Sequence, residues 1–275
     1  MSRRSSRTAT AISFAEGGTT RSRPWAAARL LGLALWTGTG LALWALGRVL
    51  LLPAPTRYRG FRRRMLQAWS RGVCRLLGIR VRVTGVVPRP PFFLVSNHLS
   101  YLDIVVFAAQ TPCRFVAKRE VGAWPGVGML ARIMETIFID RTVRRDALRA
   151  LAQVDRAIRD GDGIVLFAEA TSTAGRSVLP FRPALLEWAA RTGQPVHYAS
   201  VSYRTPDGCP PAHLAVCWWG EMTFGRHLVG LARLPRIDAS LHFGPAPIAE
   251  RDRKQLAGRL HDAVRAQFVP VVTQE

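Results

Sequence analysis

A chain of 275 residues, 48% of them hydrophobic, is long enough for one sizeable domain with an appendage. Its net charge of +21 draws it to polyanions, either nucleic acid or an anionic membrane surface, and all but Lys118 and Lys254 of its 39 basic residues are arginine. The four cysteines, Cys74, Cys113, Cys209 and Cys217, have no paired spacing, which argues against a disulfide framework or a CxxC redox motif. Cys209, His213 and Cys217 lack a fourth ligand and tetrahedral spacing, so no metal is expected.

Residues 1–25 are mostly Ser, Thr, Arg and Gly, a composition that cannot bury enough apolar surface to order itself, and they are predicted to form a disordered basic arm. Residues 26–52 are apolar except for Arg29 and Arg48, and the 18 uncharged residues from Leu30 to Gly47 reach the lower limit for a spanning helix. Gly38-Thr39-Gly40 is expected to break this run. It begins late and ends in Arg48 and prolines without a small-residue cleavage site, unlike a signal peptide. Arginines flank it on both sides, so a hairpin or half-inserted anchor stands beside a single span. Over residues 59–77, Phe61, Met65, Trp69, Val73, Leu76 and Leu77 recur at mostly four-residue steps among arginines, a basic amphipathic helix that either packs on a core or lies in a membrane interface. The charge therefore gathers beside the apolar segment. With no zinc finger, helix-turn-helix or aromatic RNA-binding motif, a nucleic-acid partner is not expected.

From residue 79 onward, short β-rich runs alternate with helical ones. Strands are predicted at 79–84, 92–96, 114–117, 136–139, 164–168, 196–203, 213–218 and 239–243. Helices are predicted at 101–110, 123–134, 144–160, 182–191, 224–232 and 250–268. This pattern predicts an α/β fold with a mixed, mostly parallel sheet flanked by helices, preceded by an N-terminal membrane-associated helical segment. The organisation is then an arm at 1–25, an anchor and amphipathic helix at 26–78, and a catalytic domain at 79–275. GxxxxGK[ST], GxGxxG after a strand, and Gly-x-Ser-x-Gly are all missing from the sequence, which demotes P-loop, dinucleotide-binding and ordinary α/β-hydrolase readings.

Polar residues at strand C-termini are where such a fold places a ligand. Ser96-Asn97-His98-Leu99-Ser100-Tyr101-Leu102-Asp103 follows the apolar run 91–95. His98 then sits in a loop and Asp103 in the first turn of a helix that Ser100 can cap. A carboxylate holding Nδ1 of an imidazole leaves Nε2 free to take a proton, as a general base for an alcohol requires. Ser100-x-x-Asp103 equally fits a capping box, so both readings are open at this point. Asp140-Arg141 ends another strand, where Arg141 offers a fork of donors to a phosphate or carboxylate, or forms a surface pair. Glu169, Thr171 and Ser172 end a third. Glu169 either orients a substrate group or caps a helix.

Taken in order, these stretches resemble the glycerophospholipid acyltransferase family, in particular bacterial 1-acylglycerol-3-phosphate and lyso-ornithine-lipid acyltransferases. Residues 97–103 match its NHxxxxD motif in full. Phe138-Ile139-Asp140-Arg141 matches the second motif, with Lys118 and Pro125-Gly126 upstream. The third motif, usually Phe-Pro-Glu-Gly-Thr followed by Arg or Ser, reads Phe167-Ala168-Glu169-Ala170-Thr171-Ser172, and Pro195-Val196 is a weak fourth. The resemblance implies that His98 deprotonates the acceptor hydroxyl, Asp103 orients the imidazole, and the alkoxide attacks an acyl thioester without an acyl-enzyme. It implies that Arg141 and Lys118 hold a phosphate, that Glu169 and Thr171 position the polar head, and that no cofactor is needed. The donor is acyl-CoA or acyl carrier protein, the acceptor a lysophospholipid, and the location the inner membrane, with the catalytic domain facing the cytoplasm and docked on an anionic surface. The implied acceptor is 1-acylglycerol-3-phosphate, acylated at its sn-2 hydroxyl. Because the third motif has no arginine, either Arg176 or Arg182 compensates or the acceptor is lyso-ornithine lipid, whose ammonium Glu169 can meet. Ala170 in the family's glycine position implies a turn without positive φ. A lipid hydrolase using the same dyad and a membrane-tethered nucleic-acid-binding protein are the readings from other classes.

Overall fold

The computed structural model describes residues 19–140 and 143–272. Most of the predicted arm and Arg141 lie outside these residues. The rest of the arm is not free: Thr19 N–H donates to Gly208 O, and Arg23 to Trp25 already belong to the first helix.

Two long helices open the fold, α1 (Arg23–Leu50) and α2 (Pro55–Leu77). Contrary to the sequence expectation, α1 runs unbroken through Gly38-Thr39-Gly40. Glycine costs a helix about 1 kcal/mol, a cost that a helix of 28 residues absorbs. The two helices form an antiparallel hairpin in which a Cβ at Gly47 would overlap the Phe61 ring and one at Gly72 would overlap the Trp36 indole. Indole hydrogen bonds stitch the seam, from Trp36 Nε1 to Trp69 O at 3.0 Å and from Trp69 Nε1 to Thr37 Oγ1 at 3.2 Å. Away from α2, Leu31, Leu35, Leu43, Leu46 and Leu50 are exposed. α1 is the one helix among the described residues that is long and apolar enough to cross a membrane.

Seven strands form one sheet: β1 (Ile79–Thr84), β2 (Phe92–Ser96), β3 (Cys113–Lys118), β4 (Ile137–Ile139), β5 (Gly163–Phe167), β6 (Val196–Arg204) and β7 (Ile237–Phe243). Their order is β1-β7-β6-β2-β5-β3-β4, and only the β6–β7 pairing is antiparallel. The sheet is therefore mixed and mostly parallel. β2 and β5 are buried at every position. One face packs on α2 and α3 (Leu102–Gln110); the other packs on α5 (Arg144–Arg159), α6 (Glu187–Thr192) and α9 (Arg253–Gln267). Since β2, β5, β3 and β4 run parallel, their C-terminal ends share one edge, where the motif residues gather.

The remaining helices are α4 (Val127–Ile133), α7 (Ala212–Ala215) and α8 (Phe224–Arg233). Residues 213–218, predicted as a strand, instead form the single turn of α7 and a loop. Pro210 and Pro211 start the helical turn, and a short apolar run has no periodicity that separates strand from helix. α4 begins later than predicted because Gly126, at φ 70, turns the chain after a 3-10 turn at Arg119–Ala123. Residues 182–191 likewise start as a 3-10 turn, Pro183–Leu186, before α6.

Arginines fasten the hairpin to the sheet. Arg29 donates to Leu234 O at 2.5 Å and Pro235 O at 3.3 Å, capping the end of α8. On α2, Arg62 and Arg63 reach Asp162, just ahead of β5, at 3.0 and 2.5 Å, and Arg114 of β3 joins them at 2.5 Å. Arg62 and Asp162 are both buried, and Glu135 completes the cluster through Arg62 and Arg114.

Candidate active site

Asn97 fixes the loop that leaves β2. Its side-chain amide extends the sheet, donating from Nδ2 to Val201 O at 2.9 Å and accepting Val201 N–H on Oδ1 at 2.8 Å. His98 follows, its ring stacked on Phe167 at 4.1 Å between centroids and 21% exposed. Asp103, in the first turn of α3, is fully buried. Its Oδ2 accepts from His98 Nδ1 at 2.7 Å, Leu99 N at 2.7 Å and Ser100 N at 3.1 Å. A carboxylate only accepts, so Nδ1 carries the hydrogen and Nε2 of the neutral ring is the free acceptor.

One carboxylate thus serves both readings of the motif, capping the loop and orienting the imidazole. Ser100 is not the cap: Tyr101 occupies that position, and Ser100 Oγ only accepts Leu102 N–H at 3.4 Å. The other carboxylate oxygen, Oδ1, accepts the Tyr203 hydroxyl at 2.7 Å. Tyr203 was hidden in the sequence as one more apolar position of β6. Its only signal is that a buried tyrosine needs a partner for its hydroxyl.

The loop after β5 crosses beside His98. Glu169 is 3% exposed, and its two oxygens accept His98 N–H and Leu179 N–H, each at 2.8 Å. The resemblance sets Glu169 against the polar head of a substrate; in the structure its carboxylate is buried and each oxygen accepts a backbone N–H. Burial pushes its pKa up to about 7; the two N–H bonds oppose the rise and the Asp103 charge adds to it. Ala170 adopts φ 69, so the turn does need positive φ even though glycine is absent. Thr173 N–H donates to His98 O at 3.0 Å, holding the two loops together, and Arg182 N–H donates to Ala168 O at 2.9 Å, closing the loop after β5 on itself.

The side chains of Thr171, Arg176 and Arg182 are exposed around this loop, and Lys118 is exposed at the end of β3 on the same sheet edge. A third wall is aromatic. Trp218 N–H donates to Leu99 O at 2.8 Å, and the Trp218 ring meets Trp124 edge-on at 5.4 Å and Tyr101 at 5.9 Å. Tyr101 OH donates to His227 Nδ1 at 3.0 Å, because His227 Nε2 spends its hydrogen on Cys217 O at 3.1 Å. Burial lowers the His227 pKa to about 4, so that ring is neutral. No group of three His, Cys, Asp or Glu placed to hold a metal occurs among the described residues.

A family model described as Acyltransferase matches residues 79–203. The chain is similar to a lyso-ornithine lipid O-acyltransferase of Brucella abortus, 35% identical over 75% of this chain and 82% of the relative. It is also similar to a 1-acyl-sn-glycerol-3-phosphate acyltransferase of Neisseria meningitidis serogroup B, 30% identical over 74% of this chain and 81% of the relative. Among solved structures, the 1-acyl-sn-glycerophosphate (LPA) acyltransferase PlsC from Thermotoga maritima superposes with a TM-score of 0.61, covering 89% of this chain and 97% of that one at 20% identity, a likeness of fold.

Proposed function

Because this chain belongs to the acyltransferase family, we propose that it is a membrane-bound O-acyltransferase that moves a fatty acyl group from an acyl thioester to the free hydroxyl of a lysolipid, with lyso-ornithine lipid as the acceptor. The observation that carries the reaction type is the 2.7 Å bond from His98 Nδ1 to a fully buried Asp103, with Nε2 left free. Nε2 takes the hydroxyl proton as the oxygen attacks the thioester carbonyl. The new C–O bond forms, the tetrahedral intermediate breaks the C–S bond, and the imidazolium returns its proton to the leaving thiolate. Asp103 stabilises the charged ring meanwhile.

The acceptor assignment reverses the order implied by the motifs alone. It is supported by the names of several relatives, including one from Pseudomonas aeruginosa that is 35% identical. Lysophosphatidic acid is the second reading, favoured by the exposed guanidiniums of Arg176 and Arg182 beside the third-motif loop. The exposed leucines of α1 and the arginines of α2 support docking on an anionic bilayer, with the catalytic domain on the cytoplasmic side of the inner membrane.

The test presents purified protein with acyl-CoA or acyl carrier protein thioester and each lysolipid in turn. Diacyl product with lyso-ornithine lipid, lost in His98→Ala, is the expected outcome. Product only with lysophosphatidic acid overturns the acceptor, and free fatty acid without diacyl product overturns the transferase.

A further inference from the structure

We infer that Tyr203 is a positioning residue of the catalytic dyad, acting on His98 through Asp103; this rests on the acyl-transfer reading above. The two oxygens of Asp103 are held from different sides. Oδ2 takes the imidazole and two loop N–H groups, all from residues within five positions of it. Oδ1 takes one donor among the described residues, the Tyr203 hydroxyl, which arrives from 100 positions away on β6.

A carboxylate bound at one oxygen can still rotate about its Cβ–Cγ bond, and rotation would swap the oxygen that faces His98. A second donor on Oδ1 of this fully buried carboxylate fixes the plane. The donor is itself rigidly placed. Asn97 ties the catalytic loop to Val201, two residues before Tyr203 on the same strand. Tyr203 is 4% exposed and pairs with Ala239 of β7. Burial, and next the Asp103 charge, raise the pKa of its phenol well above the ordinary value. The hydroxyl therefore stays protonated and can only donate to the anion. The sheet positions the base through the carboxylate, while the short loop supplies the base itself.

The experiment compares Tyr203→Phe, Asp103→Ala and the double variant in the transfer assay, using the acceptor that the wild type accepts. Tyr203→Phe keeps the ring, so its melting temperature checks that the core is intact. We expect kcat to fall roughly 10- to 100-fold, the size of a supporting contact behind a catalytic group, with KM for the acceptor unchanged. In the Asp103→Ala background the same change should cost nothing further, because the two act as one unit. Ortho-fluorotyrosine at position 203, which keeps a donor, should restore the rate. Wild-type kcat in Tyr203→Phe overturns the inference, as does a loss that persists undiminished in the Asp103→Ala background. Full activity in Asp103→Ala instead overturns the dyad itself, a different failure. Should Tyr203→Phe not fold, the fluorotyrosine protein decides by a shifted kcat–pH profile: no shift overturns the inference.

Discussion

Glu169 accepts the backbone N–H of His98 at 2.8 Å across 71 positions of sequence, so the acid of the third motif holds the main chain of the histidine in the first. An acid at this position has a structural task of its own, holding backbone N–H groups. It joins two loops that β2 and β5 deliver side by side, and its other oxygen, on Leu179 N–H, ties in the segment that follows.

The raised pKa of Glu169 sets a pH dependence. The folded-state value, about 7, lies above the ordinary value of 4.5. The contribution is therefore fully present below about 4.5 and is lost as pH rises through about 7. Glu169→Gln removes this dependence. Measured by thermal unfolding, its stability relative to wild type should rise across that window by at most about 3 kcal/mol. A flat difference would show that Glu169 ionises normally.

Ala170 sits at φ 69 in a turn where a side chain is unfavourable. Ala170→Gly should stabilise the protein by about 1 kcal/mol, with transfer activity retained. Chemical denaturation measures this, and a loss of stability would place the entropy of glycine above the strain.

Asp162 pairs with three arginines from two distant segments. Asp162→Ala leaves buried Arg62 with only Glu135, and should cost about 3–5 kcal/mol. Arg63→Ala removes a more exposed partner and should cost much less. Equal melting temperatures for these two variants would contradict the placement of the charge.

Gly72 makes room for Trp36. Gly72→Leu forces the hairpin apart, and overpacking of this kind costs about 1–3 kcal/mol or more. Gly38→Leu, where a Cβ meets nothing within 4 Å, should be tolerated in the same unfolding measurement.

Much of this was legible along the chain. The bounds of β1 follow from its alternation of apolar residues with arginine and those of β2 from its apolar run, and the His98–Asp103 pairing follows from a five-residue spacing that a helix start folds back on itself. What sequence hides is contact between distant segments. Tyr203 looks like core until its hydroxyl meets Asp103. Glu169 looks like a ligand until β5 places it under His98. Gly38-Thr39-Gly40 looks like a helix break because propensity is local, whereas the glycines that the hairpin does need for close packing, Gly47 and Gly72, show themselves only once Phe61 and Trp36 are in place. The Ala170 turn misleads for the opposite reason: the fold demands a conformation that the residue there does not favour.

The three-arginine clasp on Asp162 bears on how the protein can be handled. Leu66, Val73 and Leu77 of α2 form part of the core beneath the sheet, and Arg62 and Arg63 of the same helix are the counterions of Asp162. Cutting the chain at residue 78 would therefore strip α2 from one face of the sheet, leaving α3 as partial cover, and leave a buried anion with Arg114 as its remaining partner. The N-terminal helices are not a leash that can be trimmed to yield a soluble enzyme. The α1–α2 hairpin is part of the core on which the candidate site is built, not an appendage to it.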